Sequence, residues 1–421
     1  MKKMELSRRI FLRNSAMAMV GVGTAPLWLE RAAYAIEQGP RKKVLVAIFQ
    51  RGAADGLNIV VPHGDKNYYD LRPTISIPRP TASLDQKDSV IDLDGMFGLH
   101  PSLVNLKSIY DNKQLAIVHA AGSPDPTRSH FDAQDYMESG TPGLKATTDG
   151  WLNRALPAAA GKISPVRAVS LGGTLARSMR GANNAIAVDN LSNFNVRDSA
   201  AAKVLESMYT GTSDQVLNGT GKETFEAVSL LRDLQKTPYQ PGSGAEYPRG
   251  KFGESLKQIA QLIKADVGVE VAFADLGGWD MHANEVGPKA SVGQLAQRLS
   301  EFGDSLAAFY KDLGDHMEDV VVVTMSEFGR TAKENGNRGT DHGHANAMFV
   351  MGGAVNGGHV LGKWPGLAKE QLYEQRDLAL TTDFRDVLSE LVAGHLGNPS
   401  IKSVFPNYVG SKDKFRGVLR S

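Results

Sequence analysis

Six short, almost unbroken apolar runs constrain the fold of this chain more than any other feature: Val44 to Phe49, Leu115 to Ala120, Val166 to Leu171, Val269 to Ala274, Val320 to Thr324 and Ala347 to Met351. A strand with one wet face alternates apolar and polar residues, whereas a strand covered on both faces stays apolar throughout. Helical patterns lie between the runs. Pro101 to Tyr110 puts Leu103, Leu106 and Tyr110 on one face, and Val292 to Leu313 repeats Leu295, Leu299, Phe302, Leu306, Phe309 and Leu313 at spacings of three and four. Such alternation predicts an α/β fold with a doubly wound, mostly parallel sheet and helices on both faces. Residues 176–250 break the rhythm and end in a Pro/Gly-rich stretch from Pro238 to Pro248, so they read as a mainly helical insertion. A closing helix is expected over Thr381 to Leu396, capped by Thr382 or Asp383.

The N-terminus reads as a twin-arginine signal peptide over residues 1–35. Ser7-Arg8-Arg9-Ile10-Phe11-Leu12 sets paired arginines before apolar residues, and Lys2, Lys3 and Arg13 add positive charge. The apolar stretch from Ala16 to Trp28 is shorter than the ~20 residues a bilayer requires. Ala33-Tyr34-Ala35 supplies a cleavage pattern, which leaves residues 36–421 as one domain. The expected partner at this stage is the twin-arginine translocase, and the expected location is the periplasm or outside, without a stable membrane anchor. A net charge of +1 offers no basic face for nucleic acid. The absence of cysteine excludes disulfides, thiolate metal sites and cysteine nucleophiles, so a metal would be held by His, Asp, Glu or backbone oxygen.

Ligand sites in doubly wound sheets lie beyond the carboxyl ends of the strands. After the first run stands Asp55 in Arg51-Gly52-Ala53-Ala54-Asp55-Gly56, either a cation ligand or part of an Asp-Gly turn with Arg51 as its partner. After the second comes Asp125-Pro126-Thr127-Arg128-Ser129-His130. Here two hydroxyls, a cation and a histidine meet a helix start, where an anion is favoured. Thr127 or Ser129 is a candidate nucleophile, and Arg128 a candidate anion clamp; the alternative makes Ser129 an N-cap paired with Asp132. Beyond the fourth run, Asp280 and His282 stand two apart, so an extended backbone points both the same way. Beyond the fifth, Glu327 is a metal ligand, an orienting group or a partner of Arg330. Histidine is scarce, at 10 of 421 residues, yet His342 and His344 flank a glycine beside Asp341 just before the sixth run. That concentration is what a metal site requires.

These segments, Gly52 to Asn58, Thr127 to Asp135, Gly277 to Asn284, Ser326 to Arg330, Gly339 to His344 and Thr381 to Asp386, resemble the exported family catalogued as domain of unknown function fifteen-oh-one. That family is similar in turn to the alkaline phosphatase and sulfatase superfamily. The resemblance implies one or two divalent ions at strand ends and a hydroxyl-type nucleophile. It makes Asp55 the first-strand ligand, Asp280 with His282 the later ligand pair, and Asp341 with His342 the Asp-His-Gly motif, His344 lying nearby. The pattern departs from the superfamily's in two respects: Ser326-Glu327-Phe328 occupies the strand end where an Asp-His pair is usual, with Asp341-His342 following a loop, and neither Thr127 nor Ser129 sits in an unmistakable nucleophile motif.

The expected function is therefore that of an exported metal-dependent hydrolase acting on a small anionic phosphate or sulfate ester. Zinc, magnesium, manganese and calcium all remain open as the ion. The alternative is a non-catalytic cell-envelope binding or assembly protein that keeps the fold. Open access to a converged ligand cluster separates the first reading from the second.

Overall fold

All six apolar runs are strands of one sheet. The computed structural model describes residues 41–81, 86–145, 147–158, 163–191 and 215–420; the signal peptide read over residues 1–35 lies outside them. Lys43–Ser421 form one compact unit. Its strands are β1 (Val44–Gln50), β2 (Val60–Val61), β3 (Ile91–Asp92), β4 (Gly98–Leu99), β5 (Leu115–Gly122), β6 (Ala168–Leu171), β7 (Ile186–Val188), β8 (Val271–Leu276), β9 (Val320–Met325), β10 (Asn346–Gly352), β11 (Val360–Leu361) and β12 (Thr382–Asp383). The main sheet runs β11-β5-β10-β9-β1-β8-β6-β7, with β12 also on β5, while β2, β4 and β3 make a small second sheet.

Pairing in the main sheet is parallel except where β10 runs antiparallel to both β5 and β9. This reversal matters for the site. The start of β10 lies level with the carboxyl ends of its neighbours, so a motif that precedes β10 reaches the same edge as motifs that follow the parallel strands.

The helices that position the site are α1 (Val104–Asp111), α2 (His130–Ser139), α3 (Gln215–Gln235), α4 (Lys251–Lys264), α5 (Gln294–Leu313) and α6 (Phe384–Glu390). Successive side chains of a strand point to opposite faces, and β1 shows both faces covered. Val44, Val46 and Ile48 join a core with Leu106 and Ile109 of α1, Leu256 and Ile259 of α4, and Leu299, Phe302 and Leu306 of α5. Leu45, Ala47 and Phe49 join the opposite core with Met137 of α2, Trp151, and Phe384, Val387 and Leu388 of α6. The sheet is thus doubly wound and mostly parallel. Each fully buried side chain of Val, Leu, Ile or Phe size contributes about 1.5–3 kcal/mol, which is why β1 contains no polar residue before Gln50.

One expectation changes, and one pair of alternatives is decided. Part of the segment 176–250, read as a helical insertion, belongs to the sheet: Ile186–Val188 pairs in parallel with β6 as the edge strand β7. Its β-branched residues suit an edge, and three residues are too few to stand out as an apolar run. Residues 192–214 of that segment lie outside the described part, and α3 follows them. The closing helix is capped by Asp383, whose side chain accepts from the backbone N–H of Arg385. Among the described residues no helix is long and apolar enough to cross a membrane.

A candidate metal centre at the carboxyl ends of the strands

Beyond β1, β5, β8 and β9, and before β10, the loops converge on one point. His130 Nε2 lies 3.1 Å from His342 Nε2 and 3.5 Å from Asp280 Oδ2, while His342 Nε2 lies 3.2 Å from Asp280 Oδ1. Around a zinc-class ion with bonds of about 2.0–2.2 Å, tetrahedral ligand atoms stand roughly 3.3–3.5 Å apart. The three observed separations, which use both oxygens of Asp280, lie at or up to 0.2 Å below that spacing. Among the described residues, His130, Asp280 and His342 form a group able to hold a metal. His282 flanks it on the open side, with Nε2 2.9 Å from Asp280 Oδ1 and 3.1 Å from His342 Nε2.

The outer contacts of the three imidazoles fix their tautomers. His130 Nδ1 lies 2.9 Å from Glu327 Oε1, His282 Nδ1 3.2 Å from Asp341 Oδ1, and His342 Nδ1 3.0 Å from the carbonyl oxygen of Arg128. Each partner only accepts, so each Nδ1 carries a proton, and in the neutral ring each Nε2 is left as a lone-pair donor. The bond to Glu327, with burial opposing it, raises the His130 pKa, whereas burial lowers that of His342. An ion bound at this point would require the Nε2 atoms it takes to be unprotonated.

The carboxylates are held ionised. Burial opposes the charge of Glu327, but bonds from His130, Gln134 and backbone amides keep its carboxyl below the ordinary range. Burial likewise opposes Asp280, and the bond and charge of Arg330 outweigh it. Gly52 donates its N–H to Glu327 Oε1 at 2.8 Å and has φ +114°. A Cβ on Gly52 would stand 2.8 Å from Asp280 N, and one on Gly339 would stand 2.4 Å from the carbonyl carbon of His282. Both glycines are needed for the loops to approach this closely.

Several expected ligands are elsewhere. Asp55 forms a buried pair with Arg72, whose Nη2 donates to Asp55 Oδ1 at 2.9 Å, and burial is outweighed by that cation in setting its low pKa. It is not part of the cluster, and Arg51 is not its partner: Arg51 binds Asp275 at 2.7 Å and Glu138 at 3.0 Å. His344 is buried and stacks on Tyr373 at 4.6 Å between ring centroids, apart from the converging nitrogens. Glu327 and Asp341 orient His130 and His282 through their outer nitrogens. Glu327 is not the partner of Arg330, which binds Asp280 instead.

The nucleophile segment is also engaged. Arg128 is gripped by Asp377 and Glu374, both at 2.6 Å, so its guanidinium is not a free clamp. The Thr127 hydroxyl accepts from Ser129 N–H at 3.2 Å. Ser129 is the exposed N-cap residue of α2, and its side chain makes no capping hydrogen bond. Reasoning from sequence passed over His130 in favour of its hydroxyl neighbours. The signal was present: a scarce histidine in the first helical turn beyond a buried strand.

A family model described as "Protein of unknown function (DUF1501)" matches residues 42–400. No curated protein matches the chain. Among solved structures, similarity is found to a sulfatase from Pseudoalteromonas sp., at 13% identity over 98% of this chain and 77% of that one, with a TM-score of 0.40. The zinc complex of the C-terminal periplasmic domain of EcEptC from Escherichia coli is 10% identical over 75% and 74% of the two chains, TM-score 0.34. The lipoteichoic acid synthase LtaP from Listeria monocytogenes is 9% identical over 75% and 66%, TM-score 0.30.

Proposed function

Because the chain belongs to the DUF1501 family and carries this convergent cluster, we propose that it is an exported, metal-dependent hydrolase of small phosphate or sulfate esters. The observation that carries the reading is the arrangement of the imidazoles. Three Nδ1 atoms are committed to oxygen acceptors, and the three Nε2 atoms gather around Asp280. A nitrogen-rich set favours zinc or a similar first-row ion over magnesium or calcium, which prefer oxygen throughout. Such an ion supplies Lewis-acid polarisation of an ester oxygen and a lowered pKa for an attacking water or hydroxyl.

His130, Asp280 and His342 are the residues that hold it, with His282 in reach as a further ligand. The side chains of Asp280 and His282 are 46% and 44% exposed, so an ester can approach from solvent. Glu327 fixes the ring of His130, and Asp341, itself held by Asn335 Nδ2 at 3.1 Å, fixes that of His282. The engagement of Arg128 by two carboxylates favours a second reading, a cell-envelope protein that holds an ion without turning over an ester.

Metal analysis of the exported protein and turnover of aryl phosphate and aryl sulfate esters test both. The expected result is a stoichiometric ion, turnover that chelator abolishes, and little bound metal in His342→Ala. Ser129→Ala and Thr127→Ala decide whether either hydroxyl attacks: loss of turnover with metal retained identifies the nucleophile. A protein that gains no ion on titration and melts identically with and without chelator refutes the metal reading. Bound ion without turnover leaves the second.

A further inference from the structure

Arg330 has a fully buried side chain at the centre of the site, one residue past Gly329 and five past the end of β9. Its Nε donates to the carbonyl of Ala53 at 2.7 Å and its Nη1 to that of Thr340 at 3.1 Å. Nη2 donates to the carbonyls of Gly52 at 2.6 Å and Trp279 at 3.0 Å and to Asp280 Oδ1 at 2.6 Å. These acceptors sit on the loops that follow β1 and β8 and on the one that precedes β10. One guanidinium thus ties together the ends of four adjacent strands, β10-β9-β1-β8.

Carbonyls just past a strand end have left the ladder, and burying them unpaired is costly. A planar fork with five N–H groups can serve several of them in different directions at once; an ammonium on a flexible stem cannot. The same residue acts on two ligands of the cluster by different routes. Its side chain fixes the rotation of the Asp280 carboxylate by holding Oδ1, which turns Oδ2 towards His130. Its backbone forms an antiparallel bridge with His342.

We infer that Arg330 is the positioning residue of the metal centre, setting the geometry of Asp280 through its guanidinium and of His342 through its backbone. This rests on the metal reading above. Arg330 itself contacts neither ion nor substrate. Its loss loosens the ligands without removing any of them, and outer partners of metal ligands typically govern affinity by about 10–100-fold.

The test is cobalt(II) titration of the full exported chain, read by affinity and by the visible absorption that reports coordination geometry. Arg330→Lys keeps the charge and loses the fork. It is expected to bind cobalt about 10–100-fold more weakly, with an altered spectrum. Arg167→Lys is the control for a merely structural role. Arg167 is also buried and bonds Glu270 at 3.0 Å, but it stands at the opposite end of the strands. That variant is expected to melt earlier yet bind cobalt as the wild type does. Equal affinity and an unchanged spectrum in Arg330→Lys overturn the inference while leaving the metal reading intact. A wild type that takes up no cobalt overturns the metal reading and the inference with it. Should Arg330→Lys fail to fold, arginine-selective nitrogen-15 labelling of the wild type answers the question. The Arg330 guanidinium signals should move when zinc is added, because Asp280 then shares its charge with the ion; signals that do not move refute the role.

Discussion

Replacing Gly52 with alanine tests whether the site depends on the close approach of two loops. Gly52 has φ +114°, a conformation that costs an alanine about 1–3 kcal/mol. The added Cβ would also stand 2.8 Å from Asp280 N and 3.0 Å from Trp279 N, both backbone atoms that no side-chain rotation can clear. Such overpacking costs about another 1–3 kcal/mol. For a unit of about 380 residues, with an unfolding entropy near 2.1 cal/mol/K per residue, the combined cost is a fall in Tm of about 3–7 °C. Relieving the contact requires the Gly52 and Asp280 loops to part by about half an ångström, enough to degrade a site that needs its ligands placed to that tolerance. Cobalt affinity is therefore expected to fall roughly tenfold. Gly277→Ala is the internal control, since a Cβ there meets nothing within 4 Å. It should be neutral or slightly stabilising, by up to about 1 kcal/mol. Calorimetry and cobalt titration on both variants decide the matter. A Gly52→Ala protein that melts within 1 °C of the wild type, by the ~1 kcal/mol scale of such shifts, and binds cobalt equally would refute the reasoning.

Behind the site, Glu285 tests a buried proton. Its Oε2 accepts from the Thr340 hydroxyl at 2.8 Å, while its buried Oε1 has no hydrogen-bond partner, an atom that a proton on the carboxyl would turn into a donor. Burial first, then the charge of Asp55, pushes the Glu285 pKa well above 4.5. A raised carboxyl pKa costs stability as pH rises from 4.5 towards the folded-state value, because the unfolded chain releases the proton and the folded chain does not. Glu285→Gln supplies the donor without the titration, so its Tm should gain on the wild type as pH rises across that window, with chelator present throughout. A constant difference between the two profiles would place no proton there. Export is tested by Arg8→Lys with Arg9→Lys, which should leave precursor in the cytoplasm; undiminished exported protein refutes the twin-arginine reading.

The strands, their burial on both faces and the helices between them were legible in the sequence because continuous apolarity and 3.6-residue periodicity are local patterns. So was the candidacy of Asp280, His282 and His342, which the fold brings within hydrogen-bonding distance of one another, since each stands beside a buried run in a segment rich in glycine. Strand order was not legible, nor was the reversal of β10 that brings Asp341-His342 to the edge reached by the parallel strands. The fate of equivalent-looking residues was also decided at long range. Asp55 is drawn from the cluster by Arg72, 17 residues away, and His344 by stacking on Tyr373, while Glu327 reaches across 197 residues to turn His130 inwards. A sequence lists the groups able to bind an ion. Which of them point to a common centre depends on partners that only the packed sheet brings within hydrogen-bonding distance, because the cost of burying a charge is met by whichever opposite charge or donor the fold places beside it.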